Sequence, residues 1–362
     1  MTDSRDELAQ LRQRIDGIDD QILELVSERA RVAEEVAQVK AARGEAVQVY
    51  RPEREAEILR RLSDANPGPL SNEQVAVLFR EVMSACRALQ QPLTVAFLGP
   101  HGTFTEEAAT KHFGHGATFS PQNTIGSVFR EVESGSAHYG LVPVENSSEG
   151  VVSHTLDRFL GSELAIVGEV ELRIRHALAS HARALDEVER VYSHQQGLSQ
   201  CRAWLDVHLP EVERLPVAST AEAARLAALD AKSAAIASEA AAERYGLPLL
   251  QLRIEDHHGN TTRFLVLGYG APPPSGRDKT SLVVSSANRT GLLYQLLEPL
   301  ARNGIDMTRI ESRPARQQGV WEYVFFIDVQ GHAEDEQLSE ALSEVRDRAS
   351  LFRILGSYPR AI

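Results

Sequence analysis

The sequence predicts a multidomain chain, with an all-α segment over residues 1–91, an α/β segment over 92–270 and a ferredoxin-like α+β module over 280–362. Three observations carry this division. Residues 4–91 show helix punctuation and no convincing strand; the stretch from Pro92 to Gly268 alternates short apolar runs with helical ones; and beyond a stiff Ala271–Gly276 linker the order reads strand, helix, strand, strand, helix, strand. A chain of 362 residues with 43% hydrophobic and 25% charged residues is long enough to bury two or three cores. Its net charge of -13 and pI near 5.5 would repel nucleic acid or an anionic membrane, and leave anionic small molecules possible where local cations collect them. The start MTDSRDELAQ has neither a basic n-region nor an apolar h-region, and no run of about 18 apolar residues follows, so a cytoplasmic protein is expected. Cys86 and Cys201 suit a reducing compartment, where the Asn146, Asn260 and Asn288 sequons carry no glycosylation meaning.

The first segment reads as three helices. Ser4-Arg5-Asp6-Glu7 and Ser71-Asn72-Glu73-Gln74 are capping boxes, Gly44 is a stop, Pro52 a first-turn proline, Asn66-Pro67-Gly68 a break and Pro92 an end. The first helix should run for about 40 residues, or roughly 60 Å. Leu8, Leu11, Ile15, Ile18, Ile22, Leu25, Val32, Val36 and Val39 form a heptad stripe, interrupted at Arg29. A guanidinium on such a stripe is either a register-setting charge in a coiled coil or a ligand cation. Arg29 and Lys40 share a face about 16 Å apart, whereas Arg12 lies about 25 Å from Arg29 and is rotated by roughly 100°. An antiparallel dimer would bring each Arg12 to the partner's pocket.

These residues, from LRQRIDGIDDQILELVSERARVAEEVAQVK through REAEILRRL and FREVMSACRALQQ, resemble the all-helical chorismate mutases, which are intertwined dimers. The resemblance implies that Arg29 and the partner's Arg12 hold two carboxylates, that Lys40 and Gln90 meet the ether oxygen, and that Arg54 and Glu55 surround the ring and its hydroxyl. Arg51 stands where some members have a site Asp, and Cys86 where a serine is common; both fall among the implied chorismate contacts. The chemistry is a concerted pericyclic step, so the protein need only hold a dianion in its compact conformer and stabilise charge on the breaking ether oxygen. Arginine forks and a lysine point charge suit those tasks.

In the middle segment LTVAFLG, YGLVPV, LAIVGEVEL, VERVYSH, SAAIAS and RFLVLG are the clearest strands, and the turns after them are where ligands bind in open α/β sheets. GPHGTFTEEAA offers a Gly-rich loop with a Thr103–Glu106 capping box, whose N–H groups suit a carboxylate. VPVENSSEGVV places Glu145, Asn146 and Ser147 after a strand, and YSHQQGLSQC does the same for Ser193, His194, Gln196 and Gln200. HHGNTTRFLVLG brings Asn260, Thr262, Arg263 and Phe264. Each turn alone could be an ordinary cap.

Together with VASTAEAA and IASEAAAERYGL they resemble the prephenate dehydratases across residues 94–268, with Gln195 where proline is common. The resemblance implies two α/β lobes like those of a periplasmic binding protein, with the TRF strand returning from the second lobe to the first. It implies Thr262 as the central catalytic group and makes Thr103, Asn146, Ser147, Ser193, His194, Gln196, Gln200, Asn260 and Phe264 prephenate contacts. A threonine hydroxyl is too weak an acid to act unaided, so Glu145 is the expected supporting group. Arg263 could anchor a carboxylate or pair structurally within its strand.

The tail elements are SLVVSSA, GLLYQLLEPLARN, MTRIESRP, WEYVFFIDVQG, a helix from about Asp335 to Arg348, and FRILGSYP. They resemble the ACT regulatory domain of prephenate dehydratases, with Glu311-Ser312-Arg313-Pro314 intact and Gly291-Leu292-Leu293 at the other turn. This implies phenylalanine binding between paired domains and feedback inhibition, against a plain dimerisation module. His112-x-x-His115 and His257-His258 lack supporting ligands, so neither a metal nor any other cofactor is expected. The leading expectation is a bifunctional enzyme, homodimeric or larger, that converts chorismate to prephenate and prephenate to phenylpyruvate. The alternative is a ligand-sensing regulator with a helical dimerisation segment.

Overall fold

The computed structural model describes residues 3–43, 50–286, 290–317 and 320–361; side chains of residues 3–6, 315–317 and 320–322 are not described. The Gly44 stop and the Asn288 sequon lie outside the described residues, as do the side chains of the Ser4–Asp6 cap. Three helices open the chain: α1 (Asp3–Ala42), α2 (Pro52–Ala65) and α3 (Asn72–Gln90). The expected capping box is formed at Ser71, whose hydroxyl accepts from Gln74 N while the Gln74 side chain accepts from Ser71 N. Along α1 the apolar stripe stays open: Leu11, Ile15, Ile22 and Leu25 are 52–65% exposed. By contrast α2 turns Pro52, Glu55, Ala56 and Leu59, one helical face, onto the rest of the molecule.

The middle segment runs β1 (Thr94–Leu98), α4 (Phe104–Phe113), β2 (Thr118–Gln122), α5 (Ile125–Glu133), β3 (Tyr139–Asn146), β4 (Gly150–Val151), α6 (Ser153–Phe159) and β5 (Ala165–Arg173) in a first lobe. It crosses to β6 (Ala177–Ser180), β7 (Arg190–His194), α7 (Gln195–Gln200), α8 (Arg202–His208), β8 (Glu213–Val217), α9 (Thr220–Ala227), β9 (Ser233–Ala237), α10 (Glu239–Arg244) and β10 (Leu249–Gln251), then returns as β11 (Thr261–Gly268). The first sheet has the order β2-β1-β3-β11-β5 with β4 on β3, and the second β10-β6-β9-β7-β8. The returning strand β11 lies antiparallel between β3 and β5, pairing Thr262 with Asn146 on one side and Leu172 on the other. The chain therefore passes twice between lobes, at 174–176 and at 252–260.

The tail comprises β12 (Asp278–Ser285), α11 (Leu292–Arg302), β13 (Met307–Gln317), β14 (Val320–Gln330), α12 (Glu336–Arg348) and β15 (Leu351–Pro359), in the order β13-β14-β12-β15 expected of a ferredoxin-like sheet. One face of this sheet merges with the first lobe in a shared core of Val142, Leu265, Leu267, Val283, Phe326 and Leu355. Gly356 is required there, because a Cβ would meet the Ile166 carbonyl oxygen at 2.0 Å. Among the described residues no helix is long and apolar enough to cross a membrane.

Candidate active sites

A cavity of about 250 Å³ opens between the lobes, lined by Thr103, Asn146, His194, Gln196, Gln200, Asn260, Thr262 and Phe264 from the expected set. It also touches Phe104, Thr105, His176, Ser219 and Thr220. Its chemistry is set by strand ends and helix starts. Thr103 caps α4 by accepting from Glu106 N, His194 Nδ1 caps α7 by accepting from Gln196 N, and the Ser219 hydroxyl caps α9 by accepting from Glu222 N. Three helix N-termini thus converge on the cavity, each with backbone N–H groups and a positive dipole end. No Asp, Glu, Lys or Arg is among the described lining residues. An anion bound here would meet N–H groups rather than a salt bridge.

On the floor a polar cluster surrounds Thr262. Asn146 Nδ2 donates to Thr262 Oγ1 at 2.8 Å and to Asn260 Oδ1 at 2.8 Å, and Ser147 Oγ donates to Asn260 Oδ1 at 3.4 Å. Asn260 Nδ2 donates to Gln200 Oε1 at 3.0 Å, which also meets His176 Nε2 at 2.9 Å. Among the described residues no acceptor takes the Thr262 proton. Ser193 is fully buried behind the wall, donating to the Ile236 carbonyl at 2.8 Å, so it supports the strand end instead of facing the cavity. No motif in RIRHALAS marked His176; only the folding of a crossover beside Gln200 reveals it.

Two expected groups face the other way. Arg263 gives Nε to Glu169 at 2.8 Å, Nη1 to Asp328 at 2.6 Å and Nη2 to the Tyr358 hydroxyl at 2.9 Å, beneath the tail sheet. Glu145, its register partner on β3, meets Arg309 of β13 at 3.2 Å. Neither side chain lines the cavity, so the expectation for Glu145 is corrected and Arg263 follows the structural one of its two readings; the side chain that bonds Thr262 Oγ1 is Asn146. Successive strand residues point to opposite faces, so Thr262 with Arg263, and Asn146 with Glu145, must divide between cavity and tail.

In the helical segment Arg29 and Lys40 are half-buried on α1, Arg12 is exposed, and Gln90 is half-buried at the end of α3. Arg51 pairs with Glu53 at 2.7 Å and Arg54 with Glu57 at 2.5 Å, while Cys86 is buried. Glu55 is a further correction. Its carboxylate takes Arg87 Nη1, and Arg87 Nη2 donates to the Phe113 carbonyl at 2.5 Å, so Glu55 faces the middle segment. Beside it the Tyr50 hydroxyl and His112 Nε2 are hydrogen-bonded at 2.5 Å. Burial raises the Tyr50 hydroxyl well above its usual range, and burial together with Arg80 and Arg87 pushes His112 down to about 3, so both are neutral.

In the tail Gly291 starts α11 with φ 77°, Leu292 is buried and Leu293 is 37% exposed. Glu311, Ser312, Arg313 and Pro314 lie on β13, an edge strand. Arg313 reaches back to the first lobe, bonding Ser153 Oγ at 2.6 Å and Asp157 at 3.0 Å.

Three family models match: chorismate mutase type II over 11–91, prephenate dehydratase over 95–271 and ACT domain over 280–347. Bifunctional chorismate mutase/prephenate dehydratases of Stutzerimonas stutzeri and Pseudomonas aeruginosa are each 52% identical, with 99% of both chains covered. A prephenate dehydratase of Arthrobacter aurescens, solved in complex with L-Phe, superposes with a TM-score of 0.68 at 37% identity, covering 74% of this chain and 90% of that one.

Proposed function

The chain belongs to the bifunctional chorismate mutase/prephenate dehydratases, and from that membership we propose how its residues divide the work. It rearranges chorismate to prephenate and converts prephenate to phenylpyruvate; the regulator alternative has no support among these relatives. In the dehydratase step the bond to the ring carboxylate breaks, carbon dioxide leaves, and the freed electron pair aromatises the ring and expels the hydroxyl, which takes a proton and departs as water. Thr262 serves that hydroxyl. Its oxygen already accepts from Asn146, which polarises the O–H toward a further acceptor. This geometry is the observation that carries the assignment. The retained carboxylate is held by N–H groups at the starts of α4, α7 and α9. The absence of a cation among the described lining residues suits the departing carboxylate, since a tight ion pair would stabilise the ground state and slow the step.

The mutase site is completed by a second copy. The open stripe of α1 supports an antiparallel pairing in which the partner's Arg12 joins Arg29, Lys40 and Gln90, with Arg51, Arg54 and Cys86 nearby. In the tail, L-phenylalanine binds between Gly291-Leu292-Leu293 and Glu311-Ser312-Arg313-Pro314 and lowers dehydratase turnover. A cytoplasmic location is consistent with this metabolic role. Replacing Thr262→Ala should lower phenylpyruvate formation by about 10²–10⁴-fold and leave chorismate consumption intact. Arg29→Ala should do the reverse with supplied prephenate. Equal retention of both activities in either variant would sink the corresponding assignment.

A further inference from the structure

The hydrogen bonds around Thr262 have only one self-consistent direction. Backbone N–H groups can only donate, and those of Ser148 and Glu149 both reach Asn146 Oδ1 at 3.0 Å. That fixes the amide's oxygen end, so both Nδ2 hydrogens point to Thr262 Oγ1 and Asn260 Oδ1. Asn260 must then turn its own Nδ2 to Gln200, whose Oε1 accepts. His176 Nε2 faces the same oxygen at 2.9 Å and must donate. Two backbone amides thereby dictate the tautomer of a histidine four side chains away: Nε2 carries the proton and Nδ1 is bare.

The rest of the His176 environment agrees. The residue is 2% exposed and its Nδ1 has no hydrogen-bond partner among the described residues, a state tolerable for a bare acceptor but costly for a buried cationic N–H. Burial lowers its basicity despite Gln200 and Glu255 nearby. Its backbone is held on both sides, its N donating to Glu255 Oε2 at 2.9 Å and its carbonyl accepting from Ile254 N at 2.9 Å. The Phe104 ring stands edge-on at 5.4 Å.

Position gives this chain its purpose. His176 sits on the outward crossover between lobes, Asn260 on the return, Gln200 at the end of α7 in the second lobe, and Asn146 and Thr262 in the first. We propose that His176 is a positioning residue for dehydration: its Nε2–H and Asn260 Nδ2 both donate to Gln200 Oε1, which pins Gln200 and Asn260 across the two lobes and so holds the Asn146 amide against Thr262 in the assembled site. The inference rests on the reading of Thr262 as the group serving the leaving hydroxyl.

The test uses the full-length protein with prephenate as substrate, and chorismate turnover as the measure of intact folding. His176→Phe keeps a planar ring and removes the N–H; it should lower dehydratase kcat by about 10²-fold with KM changed less than about threefold. His176→Gln places an amide N–H near the Nε2 position and should recover kcat to within about tenfold of wild type, while the shorter His176→Asn should not. Wild-type kcat in the phenylalanine variant, or equal losses in the glutamine and asparagine variants, would overturn the proposal. Should the phenylalanine variant not fold, the glutamine and asparagine pair decides by the same readout. In the unmodified protein, ¹⁵N spectra of labelled histidine should show His176 protonated at Nε2 only; the opposite tautomer would refute it. Thr262→Ala separates the layers: full activity there removes the underlying reading, whereas a dead Thr262→Ala beside a normal His176→Phe removes this inference alone.

Discussion

At the residue scale, the cavity is a place where neighbours in sequence have opposite employments. Thr262 lines the cavity, and Arg263, one residue on, holds Glu169, Asp328 and Tyr358 under the tail sheet. Lys279 also bonds Glu169, at 2.7 Å, so two cations balance two carboxylates in that buried cluster. Removing one partner of such a set leaves an uncompensated buried charge, at a cost of about 3–5 kcal/mol. Arg263→Ala should therefore lower the urea midpoint strongly, whereas Arg263→Lys, which keeps the charge but not the three-way fork, should fall between. If Arg263 gripped substrate, the lysine variant would instead raise KM for prephenate at unchanged stability. Eight of the cavity residues were named from the turns after strands and the resemblance those turns carry together, whereas Ser193 was expected there and lies behind the wall, and Ser219 and Thr220 were not singled out. The facing of the expected residues was partly legible too: period-two alternation alone forbids Thr262 and Arg263, or Asn146 and Glu145, from sharing a face. The role of His176 was not legible, since it depends on Gln200 and Asn260, 24 and 84 positions further along the chain.

At the element scale, α1 carries an apolar pattern that the described residues leave uncovered. Its 40 residues and heptad stripe were readable from spacing, and the fold leaves Ile15 and Ile22 more than half exposed. A stripe of this length without cover is unfavourable in water, about 25 cal/mol for each Å² left exposed. A second copy lying antiparallel would cover it and deliver Arg12. Ile22→Asp places a charge in that seam, and sedimentation velocity should show dissociation together with loss of mutase turnover. Dehydration of supplied prephenate should persist, because the cavity is built from one chain. An unchanged sedimentation coefficient would remove the α1 pairing. The short strands β2, β4, β6, β8 and β10 escaped the sequence reading for a related reason. TFSPQ and ERLPV carry proline, GV and LLQ are two and three residues long, and ALAS is as good a helix pattern as a strand, so only pairing with neighbours defines them.

At the scale of the whole molecule, the three units are joined by polar contacts as well as by linkers. Arg313 and Arg309 of β13 hold the first lobe at Asp157 and Glu145, so the strand bearing the proposed phenylalanine contacts grips the strand that ends in Asn146. On the opposite side Tyr50, Glu55 and Arg87 clasp α4 through His112 and Phe113. That second joint is pH-sensitive with a definite sign. His112 is held neutral when folded, its pKa pushed down to about 3 by burial, Arg80 and Arg87, against about 6.5 in the unfolded chain. Between those values the unfolded state binds the proton and the folded state does not. Stability is thus greatest above pH 6.5 and falls as pH drops below it, by about 1.4 kcal/mol per pH unit from this group, or about 2 kcal/mol between pH 7 and pH 5. His112→Gln retains a hydrogen-bond partner for the Tyr50 hydroxyl but cannot titrate. Urea unfolding at the two pH values should therefore show a wild-type loss about 2 kcal/mol larger than the variant's. His176, also lowered by burial, is present in both proteins and cancels in the difference. Equal losses would mean that His112 accepts a proton in the folded state without cost, and that the Tyr50 contact is not what keeps the helical unit seated at low pH.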